Sequence, residues 1–362
     1  MEGVVTSPNF WKGKRVLVTG HTGFKGGWLC VWLQALNAKV LGYSLPPPTQ
    51  PSLYDLAHVA NGMDSVFGDI RDFNGLKSAI RGHEPEIIIH MAAQSLVRRS
   101  YSEPLETFSV NVMGTVNVLE AARKSDSVRV VLVVTSDKCY ENKHWIWPYR
   151  ETEGLGGHDP YSSSKGCAEL VCASYRSSFF SGTKSDIVPV VATARAGNVI
   201  GGGDWAEDRL VPDTVRAFIQ DQPVLIRNPT AVRPWQHVLD PLNGYLMLAE
   251  RLWTDGAAFA EAWNFGPSVS DGRPVGWVVD RMARLWGDGA RWQEDAGAHP
   301  WEALLLNLDS SKARHLLGWS TRLTIEETLE RTVEWYKAHQ EKQNMRDVTE
   351  AEIHSFVKGF DV

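Results

Sequence analysis

Cysteine is scarce in this chain of 362 residues and has no metal-site spacing. The four cysteines are scattered through apparent core segments, at Cys30, Cys139, Cys167 and Cys172. The sequence has neither the paired CxxC units of zinc sites nor the dense cysteine framework of small secreted domains. It therefore predicts reduced, structural thiols and no metal cofactor.

Long apolar runs and blocks of positive charge are also missing. No stretch of about 18 apolar residues could span a bilayer, and no basic segment precedes a short apolar run as in a signal peptide. The formal net charge is −6 at pH 7, with no Lys/Arg cluster to bind nucleic-acid phosphates. These absences predict a cytoplasmic protein with neither a membrane nor a nucleic acid as partner.

The chain does contain a regular alternation of apolar strands and helical segments. Strands are predicted at about 14–19, 39–43, 64–67, 86–90, 128–134 and 188–194. Helices are predicted between them at about 24–36, 74–81, 104–124 and 161–180. Strands that are apolar throughout and separated by helices are typical of a parallel sheet covered on both faces.

The expected fold is of the α/β class: a Rossmann-type doubly wound parallel sheet with a smaller, mixed C-terminal lobe. A chain of 362 residues is long for one core, and its hydrophobic content of 43% is ordinary for a globular protein. After about residue 197 the pattern changes to loops, short helices and Trp-rich segments. We therefore assign 1–196, with a return segment near 236–266, to a nucleotide-binding domain, and 197–235 with 267–362 to a substrate-binding lobe.

The segment VTGHTGFKG carries Gly20, Gly23 and Gly26 between the first strand and the first helix. One glycine permits a tight turn, the next lets the backbone approach a pyrophosphate, and the third lets the helix pack on the strand. The amides of the helix N-terminus then face the phosphates. A purely structural glycine turn is the alternative, but the strand–turn–helix context favours a bound dinucleotide.

Two further strand ends are candidates for the same ligand. In GDIRD, Asp69 and Ile70 are expected near the adenine, and in HMAAQS, Ala92 and Ala93 are expected against the ribose and pyrophosphate. Taken singly, each segment could equally be an ordinary strand end. The second strand ends in LGYS, with neither an acidic residue nor an arginine cluster, so this stretch gives only weak support for NAD over NADP.

The segment YSSSK places Tyr161 and Lys165 four residues apart at the start of a predicted helix, on one helical face. The ammonium can lower the proton affinity of the phenol, whose unperturbed pKa is near 10, so that it serves as a base at neutral pH. An isolated Tyr-x-x-x-Lys pair usually lies on a helix surface. Downstream of the glycine turn, and after a strand that ends in Thr135 and Ser136, the pair is expected to be catalytic.

These segments together resemble the extended short-chain dehydrogenase/reductase family, and within it the nucleotide-sugar 4,6-dehydratases. The motifs that carry the resemblance are TGHTGFKG, GDIRD, HMAAQS, NVMGTVNVLEAAR, VTSDKCY, YSSSK, RAGNVIGGGDW, RPWQHV and LGWSTRLTIEETLERTVEWY. The resemblance implies bound NAD and a nucleotide-sugar substrate. It implies cofactor contacts from Gly20, His21, Thr22, Gly23, Phe24, Gly26, Asp69, Ile70, Ala92, Ala93, Gln94, Tyr161 and Lys165.

The resemblance also gives roles to Asp137 and Lys138. In the dTDP-glucose enzymes an Asp-Glu pair at this strand end supplies the acid for the 6-hydroxyl and the base for the C5 proton, which here become Asp137 and Lys138. Lysine departs from that pattern, and it is the residue expected in the CDP-sugar branch. Thr135 or Ser136 is expected to assist Tyr161. A second departure is His21, whose bulk is expected to crowd the pyrophosphate and weaken NAD retention.

Substrate contacts are expected from polar residues in later loops. Asn198, Arg209 and Arg233 are candidates for the diphosphate, because the fork of an arginine suits phosphate oxygens. A rim salt bridge is the alternative for Arg209. The family expectation is a homodimer, or a dimer of dimers, formed through helices that include 104–124 and 161–180.

Two other functions compete with a dehydratase. An epimerase or decarboxylase on the same scaffold would share the glycine turn, Tyr161 and Lys165, but would not need an acid at Asp137. A non-catalytic NAD-sensing protein would need none of Tyr161, Lys165 and Thr135.

Overall fold

The computed structural model describes residues 5–180, 188–268, 271–287, 289–295, 297 and 306–359. Its strands are β1 Arg15–Thr19, β2 Lys39–Ser44, β3 Asp64–Phe67, β4 Ile87–His90, β5 Val130–Val134, β6 Val190–Arg195, β7 Val199–Ile200, β8 Val224–Ile226, β9 Val232–Pro234, β10 Gln236–His237, β11 Ala262–Asn264, β12 Gly272–Pro274 and β13 Trp292–Glu294. Its α-helices are α1 Pro8–Trp11, α2 Phe24–Ala35, α3 Leu53–Leu56, α4 Phe73–His83, α5 Val97–Ser102, α6 Pro104–Phe108, α7 Gly114–Arg123, α8 Pro160–Phe179, α9 Leu210–Ile219, α10 Leu239–Asp255, α11 Val275–Trp286, α12 Ile325–Gln340 and α13 Met345–Lys358.

Seven of these strands form one parallel sheet. Their order is β11-β6-β5-β4-β1-β2-β3, and every neighbouring pair is parallel. The order reverses at β1, which has β2 on one side and β4 on the other, so the carboxyl ends of β1 and β4 flank a topological switch point. Open α/β sheets bind ligands at such a point. The predicted Rossmann-type fold is confirmed.

Both faces of the sheet are covered by apolar residues. One core lies where α2 and α10 pack against the strands, and it continues into α12 and α13 of the C-terminal part. The second lies on the opposite face, between the strands and helices α4, α7 and α8. Strands β1, β4, β5 and β6 are apolar because side chains on both of their faces are buried, whereas the edge strand β3 is largely exposed.

The predicted helix at 104–124 is interrupted. It consists of α6, one π-helical turn at Ser109–Met113, and α7. Within this turn, the side chain of Asn111 exchanges hydrogen bonds with the backbone of Gln94 and also donates to Ser164 on α8. This buried amide ties the strand-end loop of β4 to the helix that carries Tyr161.

Helix α8 begins one residue before the predicted start. Asp159 caps it by accepting from the backbone N–H of Ser162 at 2.9 Å, and Pro160 occupies the first helical position. A proline is favoured at this position because its missing N–H would have had no partner within the helix. The cap fixes the first turn of α8, and with it the place of Tyr161.

Candidate active site

The glycine-rich turn is too tight for side chains at two of its positions. Gly20 has φ +80°, and a Cβ there would lie 2.8 Å from the backbone nitrogen of Ala92. A Cβ on Gly26 would lie 2.1 Å from the carbonyl oxygen of Gly20. The turn therefore brings the N-terminal amides of α2 to the carboxyl edge of the sheet, as binding of a dinucleotide pyrophosphate requires.

The other predicted cofactor residues lie around this turn. Thr22 contacts Ser44 at the end of β2, with 2.8 Å between the hydroxyl oxygens. Ile70 is buried after β3, and the backbone N–H of Ala92 donates to the Thr19 hydroxyl at 3.2 Å. The predicted residues in the turn or at strand ends are Gly20, Thr22, Gly23, Phe24, Gly26, Asp69, Ile70, Ala92 and Ala93. Their arrangement fits an extended dinucleotide lying along the carboxyl edge.

Gln94 and His21 face the protein rather than an open cleft. The side chain of Gln94 is occupied by the backbone of Leu96 and the hydroxyl of Thr107. The ring of His21 is fully buried and packs on Gly42, and its Nε2 lies 2.7 Å from the Ser65 hydroxyl. Any contact between NAD and the side chain of Gln94 would require these bonds to break. The ring of His21 therefore lies under the glycine turn, next to β2, and does not project toward the place where the pyrophosphate would bind.

Lys25 is a residue of this turn that the sequence reasoning overlooked, although it lies within the TGHTGFKG motif. Its ammonium donates to the hydroxyl of Tyr245 on α10 at 2.9 Å. Burial, together with the positive charges of Lys165 and Arg209, lowers the pKa of Lys25 to about 7, and the negative charge of Asp137 opposes this shift. A lysine that changes charge near neutral pH therefore sits between the glycine turn and the catalytic groups.

Tyr161 and Lys165 are both buried on the same face of α8, 7% exposed in each case. Burial lowers the pKa of Lys165 to about 8, and the negative charge of Glu169 opposes this effect. The sequence reasoning expected Lys165 to lower the pKa of Tyr161. In the structure burial dominates and raises the pKa of Tyr161 to about 12, although a hydrogen bond with Ser136 favours the phenolate.

The two hydroxyls before Asp137 have different surroundings. Ser136 is hydrogen-bonded to Tyr161 and also donates to the Asp137 carboxylate at 2.9 Å. Thr135 instead donates to the carboxylate of Glu169. Of the two predicted candidates, the structure places only Ser136 in contact with Tyr161.

Asp137 is a buried carboxylate with one free oxygen. The residue is 2% exposed, and its Oδ2 has no hydrogen-bond partner among the described residues. A Cβ on Gly197 would lie 1.9 Å from that oxygen, so the glycine leaves room for the carboxylate. A buried, half-satisfied carboxyl group next to Ser136 is suited to exchange a proton with a ligand.

Lys138 follows on the single 3₁₀ turn Asp137–Cys139 and is partly buried. Its backbone N–H donates to the Ser136 hydroxyl at 3.2 Å. No hydrogen bond or ion pair of its ammonium occurs within the described part of the chain. The cation therefore has no protein partner there that competes with a substrate.

The three predicted substrate residues lie at different places relative to the catalytic groups. Arg209 donates to Asp204 and to the Ser95 hydroxyl, at 2.8 Å each, and its positive charge favours the phenolate of Tyr161. Asn198 directly follows Gly197 and has φ +48°. Arg233 lies on β9, opposite Arg273 of β12. Arg209 thus combines the predicted salt bridge with a position beside the catalytic groups.

The described residues contain no cluster of His, Cys, Asp or Glu that could hold a metal ion. His90 is buried between the hydroxyls of Thr19 and Thr115, at 2.7 and 3.2 Å. His237 lies 2.9 Å from Glu352 of α13. None of the described helices is long and apolar enough to cross a membrane.

Comparison with known proteins identifies the scaffold. Residues 16–264 match the family model described as "NAD dependent epimerase/dehydratase family". The chain belongs to this family. A member of the epimerase/dehydratase family is expected to carry the nucleotide-binding turn and the Tyr161–Lys165 pair seen here.

Two curated sequences illustrate the relationship. The chain is 53% identical over 350 residues to the CDP-glucose 4,6-dehydratase of Salmonella typhimurium, a match that covers 96% of this chain and 98% of the relative. It is 26% identical over 334 residues to the human dTDP-D-glucose 4,6-dehydratase, with 90% of each chain covered. The segments TSDKCY and RAGNVIGGGDWAEDRLVPD predict sequence similarity to the CDP-glucose 4,6-dehydratases, and the first match confirms it.

Solved structures share the family fold. The "Epimerase Mth375" of Methanothermobacter thermautotrophicus aligns with a TM-score of 0.81 at 24% identity and covers 94% of this chain and 96% of its own. The dTDP-glucose 4,6-dehydratase of Bacillus anthracis, solved with NAD, aligns with a TM-score of 0.73 at 21% identity and covers 92% of this chain and 100% of its own. At these identities the likeness establishes the fold.

Proposed function

We propose that the protein is an NAD-dependent CDP-glucose 4,6-dehydratase, a hydro-lyase that forms CDP-4-keto-6-deoxyglucose. The observation that carries the proposal is the hydrogen-bonded row Tyr161, Ser136 and Asp137. An enzyme that only transferred a hydride would need Tyr161 and Lys165 but no further acid. The buried carboxyl group at the end of the row adds an acid, which elimination of water requires.

NAD, when bound, accepts a hydride from C4 of the sugar and returns it to C6. The glycine turn, with Gly20 and Gly26 free of side chains, would hold the pyrophosphate. Asp69 and Ile70 would border the adenine, and Lys165 would reach the nicotinamide ribose. The cofactor is regenerated in each turnover, so the overall reaction has no net redox change.

Tyr161 begins the reaction by taking the proton of the sugar 4-hydroxyl. The nearby Ser136 hydroxyl and the positive charge of Arg209 favour the phenolate. Burial keeps the pKa of Tyr161 at about 12 even with the opposing effects of Ser136 and Arg209, so in the free protein the phenol is almost fully protonated at neutral pH.

Asp137 and Lys138 serve the elimination that follows. A ketone at C4 acidifies C5–H, and Asp137 donates its proton to the departing 6-hydroxyl as the C5 proton leaves. Lys138 either takes that proton itself or stabilises the enolate while another group takes it. After the hydride returns to C6, C5 is protonated again.

The alternative is another NAD-dependent nucleotide-sugar dehydratase, or an epimerase of the same family. Epimerases share Tyr161 and Lys165 but gain nothing from a buried acid at Asp137. The identity of 53% to a CDP-glucose 4,6-dehydratase supports both the reaction and the nucleotide.

The test is incubation of the purified protein and NAD with a panel of CDP-, dTDP-, UDP- and GDP-glucose. We expect alkali-induced absorbance of a 4-keto-6-deoxy product from CDP-glucose in preference to the others. A product that retains the 6-hydroxyl would indicate an epimerase, and preference for another nucleotide would overturn the assignment of CDP-glucose.

We also propose a homodimer, or a dimer of dimers, that works in the cytoplasm to supply deoxysugars for the O-antigen of lipopolysaccharide. Large apolar side chains are exposed on the segments predicted to pair: Leu105, Phe108, Met113, Leu170 and Phe179. Leu105, which is 86% exposed, is the most exposed of them. Sedimentation of Leu105→Glu against the parent tests the pairing, and an unchanged oligomer would contradict it.

A further inference from the structure

A buried ion pair lies directly behind the catalytic turn. Glu169 and Arg195 are 2% and 3% exposed and form two hydrogen bonds, at 2.9 Å (Nε to Oε1) and 2.8 Å (Nη2 to Oε2). Glu169 lies four residues after Lys165 on α8, and Arg195 is the last residue of β6. The pair thus joins the helix that carries Tyr161 and Lys165 to β6, which lies between β5 and the edge strand β11.

The same ion pair binds both ends of the segment that carries the acid. Thr135, just before Ser136, donates to the Glu169 carboxylate. Arg195 donates to the hydroxyl of Tyr140, just after the turn, at 2.6 Å. That hydroxyl in turn donates to Asn264 of β11 at 2.8 Å. Ser136, Asp137 and Lys138 therefore lie on a short turn whose two flanking side chains are held by one ion pair.

Stability alone is a weak reason for this arrangement. A buried ion pair loses the hydration of both charges, and well-packed apolar residues often replace it with no loss of stability. Within the turn, Asp137 is held on one oxygen only, by Ser136. The position of the carboxyl group therefore depends on how firmly the turn is fixed at Thr135 and Tyr140.

We propose that the Glu169–Arg195 pair positions the Ser136–Lys138 turn against Tyr161 and Lys165, acting through Thr135 and Tyr140. The proposal rests on the proposed dehydratase function. Thr135 is then a positioning residue, and Ser136 is the hydroxyl that assists Tyr161. The two ends have separable effects: Thr135 adjoins Ser136, which serves the first hydride transfer, whereas Tyr140 lies closer to Lys138, which serves the elimination.

Thr193 provides a matched control. Its hydroxyl donates to Glu169 Oε2 at 2.7 Å, and the residue is fully buried. Thr193 lies on β6 and not next to the turn. Thr135→Val and Thr193→Val therefore each remove one hydrogen bond to the same carboxylate. Thr135→Ser keeps the hydroxyl and should restore what Thr135→Val loses.

The experiment measures single-turnover formation of NADH and of product from CDP-glucose, with unfolding midpoints for every variant. Misplacement of catalytic groups by about 1 Å costs up to about 10²-fold in rate. We expect Thr135→Val to lower NADH formation by about 10- to 100-fold, and Tyr140→Phe to lower product formation by that factor while NADH formation stays within about threefold. Thr193→Val should stay within about threefold in both steps.

Equal losses in Thr135→Val and Thr193→Val, or failure of Thr135→Ser to recover, would overturn the positioning role. Hydrogen exchange of the peptide spanning 134–141 tests the same role without substrate. Exchange should rise in Thr135→Val and Tyr140→Phe but not in Thr193→Val, and unchanged exchange in the first two would also overturn the role. If the parent protein makes no product, the proposed function is refuted. The hydrogen-exchange measurement needs no substrate, so it still tests whether the ion pair fixes the turn.

Discussion

Asp137 and Lys138 are neighbours in sequence, yet the structure gives them different surroundings. Asp137 is buried beside Ser136, with space for its free oxygen provided by Gly197. Lys138 is partly buried, and in the described ranges its ammonium has no protein partner. The carboxyl group is thus prearranged toward the hydroxyl row, while the cation is available to a charge that develops on the sugar.

Lys138→Ala should stop the reaction after its first step. In either of its two possible roles, base or enolate stabiliser, Lys138 acts only once the C4 ketone exists. We therefore expect the variant to form NADH from CDP-glucose, to lose C5 exchange with deuterated solvent, and to accumulate a 4-keto sugar that retains the 6-hydroxyl. Mass spectrometry of the quenched sugar, with NADH absorbance, measures these three outcomes.

Lys143→Ala is the matched control, since Lys143 is a nearby lysine of the same loop that pairs with Glu141 at 3.6 Å. It should leave all three measurements unchanged. Exchange at C5 at the parental rate in Lys138→Ala would show that Lys138 is a strand-end cation without either catalytic role.

Tyr161→Phe should block the opening step itself. Loss of a general base typically costs about 10²- to 10⁴-fold in rate, so NADH and product should fall together by that factor. Tyr175→Phe, on the same helix but facing Phe179 and Phe180, is the control. Turnover near the parental rate in Tyr161→Phe would reject the assignment.

At the scale of elements, the glycine turn carries two titratable residues with different electrostatics, His21 and Lys25. Burial lowers the pKa of His21 to about 4, so its ring is neutral at physiological pH and acts by volume. Lys25, with its pKa near 7, is charged below that pH and neutral above it. The steric and electrostatic contributions of the turn to cofactor affinity can therefore be separated by pH.

NAD affinity is expected to rise between pH 6 and pH 8. The ammonium of Lys25 interacts with Lys165 and Asp137, at the end of the site where the positively charged nicotinamide rather than the pyrophosphate would lie. Protonated Lys25 therefore disfavours the bound nicotinamide. If the bound cofactor lowers the pKa of Lys25 by one unit, affinity changes by up to about tenfold across the titration. Lys25→Met should bind NAD more tightly at pH 6 and show a shallower profile by calorimetry, because Lys165, with a pKa of about 8, still titrates in this range. A parental pH slope in Lys25→Met would contradict this account.

His21→Gly tests the steric contribution. The ring lies against Gly42, where a Cβ would lie 2.3 Å from His21 Cγ, and its bulk is confined under the turn that would hold the pyrophosphate. We expect removal of the ring to relax the turn and raise NAD affinity by the same factor at every pH above about 5, because the group is neutral there. Equal affinities for parent and variant would refute the crowding hypothesis.

The regular elements were predicted well from the sequence where hydrophobic periodicity agreed with the turn and capping residues at the ends of each element. Strands β1 to β6 and helices α2, α4 and α8 lie within a few residues of their predicted ranges. Strand β11 was not predicted as a strand, because a three-residue strand at the edge of a sheet carries little periodicity. The π-helical turn was also missed, since it depends on the tertiary bonds of Asn111.

Side-chain partners were harder to predict than elements. The TSDK stretch gave the candidates for the catalytic hydroxyl but could not choose between them, because the choice depends on Glu169, which is distant in sequence from Thr135. Lys25 was inside a recognised motif, yet its altered pKa follows from burial and from Lys165 and Arg209, which only the fold brings near. Long-range electrostatics therefore had to come from the structure.

For the whole molecule, the proposed reaction requires that one cofactor serve both hydride transfers. Deuterium placed at C4 of CDP-glucose should therefore appear at C6 of the same product molecule. A mixture of labelled and unlabelled substrates, distinguished by a ¹³C-labelled ring, measures transfer between molecules by mass spectrometry. Crossover of deuterium onto the ¹³C ring would rule out a hydride held within one active site.

Strand β11 comes late in the sequence but belongs to the central sheet, so an N-terminal fragment that lacks it would have an incomplete sheet. This strand pairs with β6 after the chain has left the sheet, and its Asn264 accepts from Tyr140 and donates to the carbonyls of Tyr149 and Asp309. A fragment that stops before residue 262 would leave β6 as an unprotected sheet edge, which favours aggregation. During synthesis on the ribosome, the hydrogen bond from Tyr140 to Asn264 can form only after residue 264 has emerged, so the last restraint on the catalytic turn is added late.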